Sequence, residues 1–473
     1  MWDNGMSKAP LLFRSTRSVE LERLAPTQTV TKIRPNRLEA GIPLLDAVEK
    51  GLAGDGGLFI PERFPVVDWA AVSASSFSEC SISFLMQWLE GSLSKHQIVG
   101  LVENALNFDV PLVPLVQNGP DFGSEKVTKG NQNLHVLELF HGPTLSFKDF
   151  GARTLAFLLG ARLRKTQQSI TILVATSGDT GSAVADGLSG IKGIRVVLLY
   201  PASGVSEVQE KQLIVKRDGV LALRVNGTFD DCQRLIKGAF QEDRLRSWNL
   251  STANSINIGR LIPQMLYYVW AVKKLQTRDV TFVVPSGNLG NLTAGIMAHK
   301  SGMPVARFIA AHNANDFFPA YLENPTAVQS PSIRTLSNAM DVGMPSNFER
   351  LKALLSPAEM RLLITGTSVS DEKTLTSMRK VYRESGYVAD PHTSVGLAAA
   401  EHVVEAWGSS NTVVVLSTAH PAKFPDTIES AIGIVPQVPA QLLALASRPV
   451  QVFDMKPSQK ELTEAILSHE WNR

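Results

Sequence analysis

The sequence predicts an α/β protein built on parallel sheets. Short β-branched runs alternate with helical stretches from about residue 131 to 445. These runs are continuously apolar rather than alternating, as strands buried on both faces are. Three of them run into loops of small, hydroxyl or polar residues, where open α/β sheets bind ligands.

Along the chain, residues 1–130 read as a mixed, mostly helical N-terminal region. Apolar residues at helical spacing mark 43–52 and 83–93. A glycine- and proline-punctuated loop at 53–65 separates them. Residues 116–133 are polar and turn-rich, a boundary signal. Strands are then expected at 169–176, 194–200, 220–225, 279–284, 307–311 and 412–417. Thr228 is placed to cap a helix over 229–240, and 459–471 reads as a closing helix. The expected division is therefore 1–130, two α/β domains at 131–270 and 271–445, and a helical tail at 446–473.

Composition narrows the function. The 473 residues leave room for about three units at ~150 residues each. With 44% hydrophobic and 19% charged residues, disorder of the whole chain is excluded. Lys and Arg total 46 against 44 Asp and Glu, so no field of one sign argues for nucleic acid or an anionic membrane. Cys80 and Cys232 cannot form a disulfide framework, which suits a reducing compartment. The longest apolar runs are strand-sized, far short of a membrane span. Residues 1–40 are rich in Arg, Ser and Thr, like an organellar transit peptide, but Glu20, Glu22 and Glu39 oppose that reading. A cytoplasmic enzyme is the expectation.

Four stretches could carry chemistry. The strand ending at Ala175 runs into Thr176, Ser177, Gly178, Asp179 and Thr180, before a helix expected to start near Ser182. Backbone N–H groups, hydroxyls and a helix N-terminus there suit a carboxylate or phosphate, or simply a tight capped turn. After the strand at 279–284 come Gly287, Asn288, Leu289, Gly290 and Asn291. Two glycines let the backbone approach an anion, though the spacing matches neither the dinucleotide nor the nucleoside-triphosphate motif. Ser417, Thr418 and His420 leave the strand at 412–417; a histidine there reads as a base or as a structural residue. Lys148, between Phe147 and an apolar helical run, reads as a reactive amine or as a surface lysine at a helix start.

Taken together, 138–153 (ELFHGPTLSFKDFGAR), 175–185 (ATSGDTGSAVA), 253–261 (ANSINIGRL), 284–295 (VPSGNLGNLTAG), 334–347 (RTLSNAMDVGMPSN) and 418–424 (TAHPAKF) resemble the threonine synthase family. The likeness is to its longer branch, found in many bacteria and fungi, and runs from 13–17 (FRSTR) through 54–61 (GDGGLFIP) to about residue 435. It implies a fold type II, tryptophan synthase β-like enzyme with pyridoxal 5′-phosphate (PLP) between two α/β domains. Lys148 would hold the cofactor as an imine, and Gly287, Asn288, Leu289, Gly290 and Asn291 would bind its phosphate. The Thr418 hydroxyl would meet the pyridine nitrogen and leave it largely unprotonated. Thr176, Ser177 and Thr180 would grip the substrate carboxylate. Asn254, Ser255 and Arg260 would hold the substrate phosphate, for which an arginine fork is suited. No metal is implied.

The same resemblance implies conversion of O-phospho-L-homoserine and water to L-threonine and phosphate, the last step of threonine biosynthesis. Lys148 would exchange its imine for the substrate amine, remove the α-proton and shuttle a proton at Cβ. Phosphate leaves from Cγ before water adds at Cβ, and the departing phosphate is a candidate base for that water. The chain would act as a monomer or homodimer. Rival readings are a phospho-lyase releasing 2-oxobutyrate and a binding module without turnover. Two departures stand out. Asp179 occupies a position where many fold type II relatives carry asparagine, leaving its protonation open, and 18–40 resembles an insertion.

Overall fold

The computed structural model describes residues 9–19, 41–116, 133–407 and 412–471. Residues 117–132 of the expected boundary, the insertion-like segment beyond Val19 and most of the transit-like stretch lie outside those residues. No described helix is long and apolar enough to cross a membrane.

Three sheets organise the backbone. In a small antiparallel one, Leu12–Ser15 lies between Ile42–Pro43 and Phe59–Pro61. A six-stranded sheet has the spatial order Ile364–Ser368, Arg307–His312, Val280–Pro285, Thr412–Ser417, Leu134–Glu138 and Leu112–Pro114. Its pairs are parallel except the last. A five-stranded, all-parallel sheet runs Phe453–Met455, Val220–Val225, Ile194–Pro201, Ile170–Ala175 and Leu250–Thr252. Every residue of Ile170–Ala175 and of Val280–Pro285 is buried. The continuous apolar runs follow from that two-sided cover. The helix Pro391–Trp407 packs on the larger sheet, and Phe229–Ala239 on the smaller.

Strand order decides which loops meet. Val280–Pro285, Thr412–Ser417 and Leu134–Glu138 are parallel neighbours, so the loops after Pro285, Ser417 and Glu138 leave from one edge. Ile170–Ala175 and Leu250–Thr252 are likewise parallel neighbours, which brings the loops after Ala175 and Thr252 together. These five loops, with the first turns of the helices that follow them, hold every residue singled out above as a candidate for the site.

The sheets depart from the expected division. Leu134–Glu138 belongs to the larger sheet although it lies in 131–270, and Phe453–Met455 returns to the smaller sheet from the tail. Parallel partners are joined by long crossovers, so neighbours in sequence need not be neighbours in a sheet. Helix starts also shift. Asp179–Leu188 begins at Asp179, after Gly178 at φ 138°, so Asp179 and Thr180 are first-turn residues rather than loop. The expected helix at 83–93 runs instead over Phe77–Trp88, where the Ser76 hydroxyl accepts from the Glu79 N–H. Thr228 does cap Phe229–Ala239, with Asp231 completing a capping box.

Candidate active site

Lys148 opens the helix Lys148–Thr166 from a loop pinned on both sides. The Phe147 N–H donates to the Thr418 carbonyl at 2.9 Å, and the His420 N–H donates to the Leu145 carbonyl at 3.1 Å. Leu145 itself sits at φ 59°, a left-handed conformation costly for a bulky residue. Inside the loop, the Thr144 N–H and hydroxyl donate to the buried Asp149 carboxylate at 2.9 and 2.7 Å. The Lys148 side chain is 15% exposed, with Nζ 4.7 Å from the Phe147 ring centroid. It is no surface lysine. Burial pulls its pKa down, Asp179 opposes this, and Lys423 and Arg260 reinforce it. That favours the neutral amine, the form that attacks a carbonyl carbon.

Asp179 faces Lys148, with Oδ2 3.8 Å from Nζ, and its other oxygen is engaged. Lys423 Nζ lies 2.6 Å from Oδ1, and Gln209 Nε2 donates to the same atom at 3.0 Å. Burial alone would raise the acid, but the charges of Lys423 and Lys148, with the bonds from Lys423 and Gln209, outweigh it. Asp179 is a carboxylate. The Thr176 hydroxyl accepts from the Gly178 and Gly181 N–H groups at 3.0 and 2.8 Å, leaving its own proton to donate. Thr176 is buried, whereas Ser177 and Thr180 are half-buried.

The 287–291 loop forms a cradle. Leu289 caps the helix Gly290–Lys300 at φ 59°, turning the first N–H groups of that helix to one side. A Cβ on Gly287 would lie 2.9 Å from Met340 Cα, so glycine is dictated there by a neighbouring backbone. His392 supports that backbone. Its Nδ1 sits 2.8 Å from Asp390 Oδ1, and its Nε2 accepts from the Ala339 N–H at 3.1 Å, which fixes the proton on Nδ1. Tyr267 and Tyr268 donate to Asn291 Oδ1 at 2.6 and 2.8 Å, whereas the buried Asn291 Nδ2 has no partner. An unpaired buried donor at a helix N-terminus, under a glycine loop, fits a phosphate oxygen.

A second anion-seeking set adjoins it. Asn288 Nδ2 donates to Ser255 Oγ at 2.5 Å. Arg260 is buried beside the first turn of the Lys148 helix, where a Cβ on Gly151 would lie 2.5 Å from its Nε. One Nη donates to the Ala253 carbonyl at 2.5 Å, and Nε has no partner. Desolvation draws its pKa down to about 10, partly offset by Asp149, so it stays charged at neutral pH. Thr418 is buried at the end of its strand. His420 is a cap rather than a base, for its Nδ1 accepts from the Ala422 N–H at 3.1 Å.

Comparison with known proteins decides the family. Residues 121–419 match the family described as pyridoxal-phosphate dependent enzyme. Residues 37–106 match threonine synthase N terminus, and 393–466 match threonine synthase, C-terminal. The threonine synthase of Haemophilus influenzae is 39% identical over 409 residues, 85% of this chain and 92% of that one. The chain belongs to the threonine synthase family. Its backbone resembles PLP-bound threonine synthase from Brucella melitensis at TM-score 0.83 and 31% identity, covering 96% of this chain and 98% of that one. For Escherichia coli threonine synthase the values are 0.80 and 34%, covering 91% and 97%. As a threonine synthase family member the protein has the PLP fold type II architecture, is a PLP-dependent lyase of amino-acid biosynthesis, and has PLP as its cofactor.

Several residues of this threonine synthase family site escape a reading of strand-end loops. Lys423 lies within the 418–424 motif but carries no pattern that announces burial. Gln209 and Asn338, the latter donating to Gln209 Oε1 at 3.3 Å, come from segments far apart in sequence. Arg350 is fully buried and donates to the Phe59 and Ser255 carbonyls at 3.0 and 3.3 Å. Its guanidinium also donates to Asn347 Oδ1 at 2.6 Å. It thereby fixes the Ser255 turn from beneath. Only its place three residues past the 334–347 motif could have flagged it.

Proposed function

We propose that the protein converts O-phospho-L-homoserine and water to L-threonine and phosphate, with PLP held covalently at Lys148. When bound, PLP supplies an electron sink conjugated with the substrate nitrogen, which eases proton removal from neighbouring carbons. Two adjoining anion-seeking sets, one of them with Arg260 among the charges that reach Lys148, carry this assignment. Each contains a buried N–H without a partner, Asn291 Nδ2 in one and Arg260 Nε in the other. A phosphorylated cofactor and a phosphorylated substrate need two such sets.

In this proposal Gly287, Asn288, Leu289, Gly290 and Asn291 hold the cofactor phosphate, Asp179 and Thr418 flank the cofactor ring, and Asn254, Ser255 and Arg260 hold the substrate phosphate. Thr176, with the hydroxyls of Ser177 and Thr180, orients the substrate carboxylate, using the proton Thr176 has left to donate. Lys148 Nζ carries protons to and from substrate carbons, for which its lowered pKa suits it. The proposal extends to a cytoplasmic enzyme acting as a monomer or homodimer.

The test is turnover of O-phosphohomoserine with product identification, alongside borohydride reduction and peptide mapping. Threonine and phosphate, with the reduced cofactor on Lys148, are expected. Accumulation of 2-oxobutyrate would make the protein a phospho-lyase, no turnover would make it a binding module, and a label on another lysine would overturn the site.

A further inference from the structure

We propose that Lys423 is a positioning residue: its buried ammonium orients and counterbalances the Asp179 carboxylate beside Lys148, and so sets how tightly the Lys148 nitrogen keeps a proton once the cofactor is bound. This rests on the reading that Lys148 holds PLP. Lys423 is fully buried in the short turn Pro421–Lys423, and among the described residues its ammonium has two polar partners. Its Nζ lies 2.6 Å from Asp179 Oδ1 and donates to the Thr144 carbonyl at 3.0 Å. One ammonium therefore joins the acid facing Lys148 to the loop that precedes Lys148.

The charges around the Lys148 nitrogen make this more than a structural pin. From the helix Asp179–Leu188 it faces Asp179, and from the start of Pro391–Trp407 it faces Asp390. From Pro421–Lys423 it faces Lys423, and from Ile258–Leu261 it faces Arg260. Two acids and two cations sum to zero formal charge. Asp179 in turn faces Lys148, Lys423 and the neutral Gln209. Asp149, pushed up to about 6 by burial, faces Lys423, Asp186 and the Thr144 hydroxyl. In an environment this dry a single uncompensated charge is felt strongly. Lys148 and Gln209 still hold Asp179 ionised when the Lys423 charge is removed, so its loss shifts the surrounding toward negative and should make the Lys148 nitrogen hold its proton to higher pH. Removing the Asp179 charge should do the reverse, and removing both should restore the balance.

The colour of the lysine-bound cofactor reports that proton, so the test is the pH midpoint of the visible band in holoenzyme. Four proteins are compared: wild type, Lys423→Met, Asp179→Asn and the double variant. Lys423→Met should move the midpoint up, and Asp179→Asn down, each by about one pH unit or more. The double variant should return close to wild type, with Asp149 common to all four. Unmoved midpoints in both single variants, or shifts of the same sign, would overturn the proposal. Should Lys423→Met not fold, the comparison of Asp179→Asn with the double variant decides, because a neutral pair is easier to bury than a lone charge. A double variant that titrates like Asp179→Asn would show that the Lys423 charge does not reach Lys148. Reduction and mapping of the wild type keep the two readings apart. A missing label on Lys148 sinks the cofactor assignment, whereas a label with unmoved midpoints sinks only the role of Lys423.

Discussion

Arg260 shows how a single side chain can be held for a ligand rather than for the fold. It is buried, gives one hydrogen bond to a carbonyl, and leaves Nε unpaired against the first turn of the Lys148 helix. A guanidinium kept for stability would be paired with a carboxylate or saturated by carbonyls, as Arg350 is by Phe59, Ser255 and Asn347. Arg260→Ala should therefore cost roughly 1.5–3 kcal/mol of a charge-assisted contact. At about 1.4 kcal/mol per decade that is a ten- to hundredfold or somewhat larger loss in kcat/KM for phosphohomoserine. The PLP spectrum should change little, because the cofactor phosphate is assigned to the separate 287–291 loop. Lysine should rescue only in part, since it brings charge without the planar fork. Steady-state kinetics with melting temperatures on both variants check this, and normal kinetics with a lowered Tm would return Arg260 to the fold. At this scale the sequence exposed what is local. Lys148 and the 287–291 loop stand in motifs that can be read in one pass. Lys423, Gln209 and Arg350 matter through partners tens to hundreds of residues away, which no run of sequence contains.

Elements explain why the phosphate loop is where it is. The parallel runs were legible as strands because two-sided burial makes them continuously apolar, and six of them fall within a residue or two of their expected bounds. Short edge strands such as Leu250–Thr252 and Phe453–Met455 were not, since three residues give too little pattern. Yet Leu250–Thr252 is what carries Asn254, Ser255 and Arg260 to the loop after Ala175. Gly287 illustrates the same interplay. From sequence its freedom reads as allowing close approach to an anion, whereas its nearest constraint is the backbone at Ala339 and Met340. Gly287→Val should push that segment away and draw the loop off its anion position. Overpacking of this kind costs about 1–3 kcal/mol, so the PLP dissociation constant should rise about tenfold or more. The secondary structure should persist by circular dichroism. An unchanged dissociation constant would mean that the 338–341 segment yields without disturbing the cradle.

At the scale of the whole molecule, the chain closes its smaller sheet with its own end. Phe453–Met455 pairs with Leu223–Val225, and Arg224 binds Asp454 through Nε and Nη2 at 2.6 and 3.1 Å. The helix Gln459–Ser468 then covers Phe229–Ala239, placing Leu462 and Ile466 in one cluster with Leu235, Ile236 and Leu223. None of these residues contacts Lys148, Asp179, Arg260 or the 287–291 loop through a hydrogen bond or ion pair among the described residues. The sheet is thus completed from a distance of more than two hundred residues, at an edge remote from the loops that carry the chemistry. A defect there should be felt as stability and not as catalysis. Leu462→Ala removes most of a fully buried side chain, and truncations of this type cost about 2–5 kcal/mol through lost transfer energy and the cavity left behind. The melting temperature should fall accordingly, while KM for phosphohomoserine and the pH midpoint of the cofactor band in the folded fraction stay at wild-type values. The contrast with Arg260→Ala is the useful part: one variant should lose rate without stability, the other stability without rate. A raised KM in Leu462→Ala at a temperature where it is fully folded would mean that the closing helix communicates with the active site through the strand Ile170–Ala175, which shares this sheet and leads directly to Thr176.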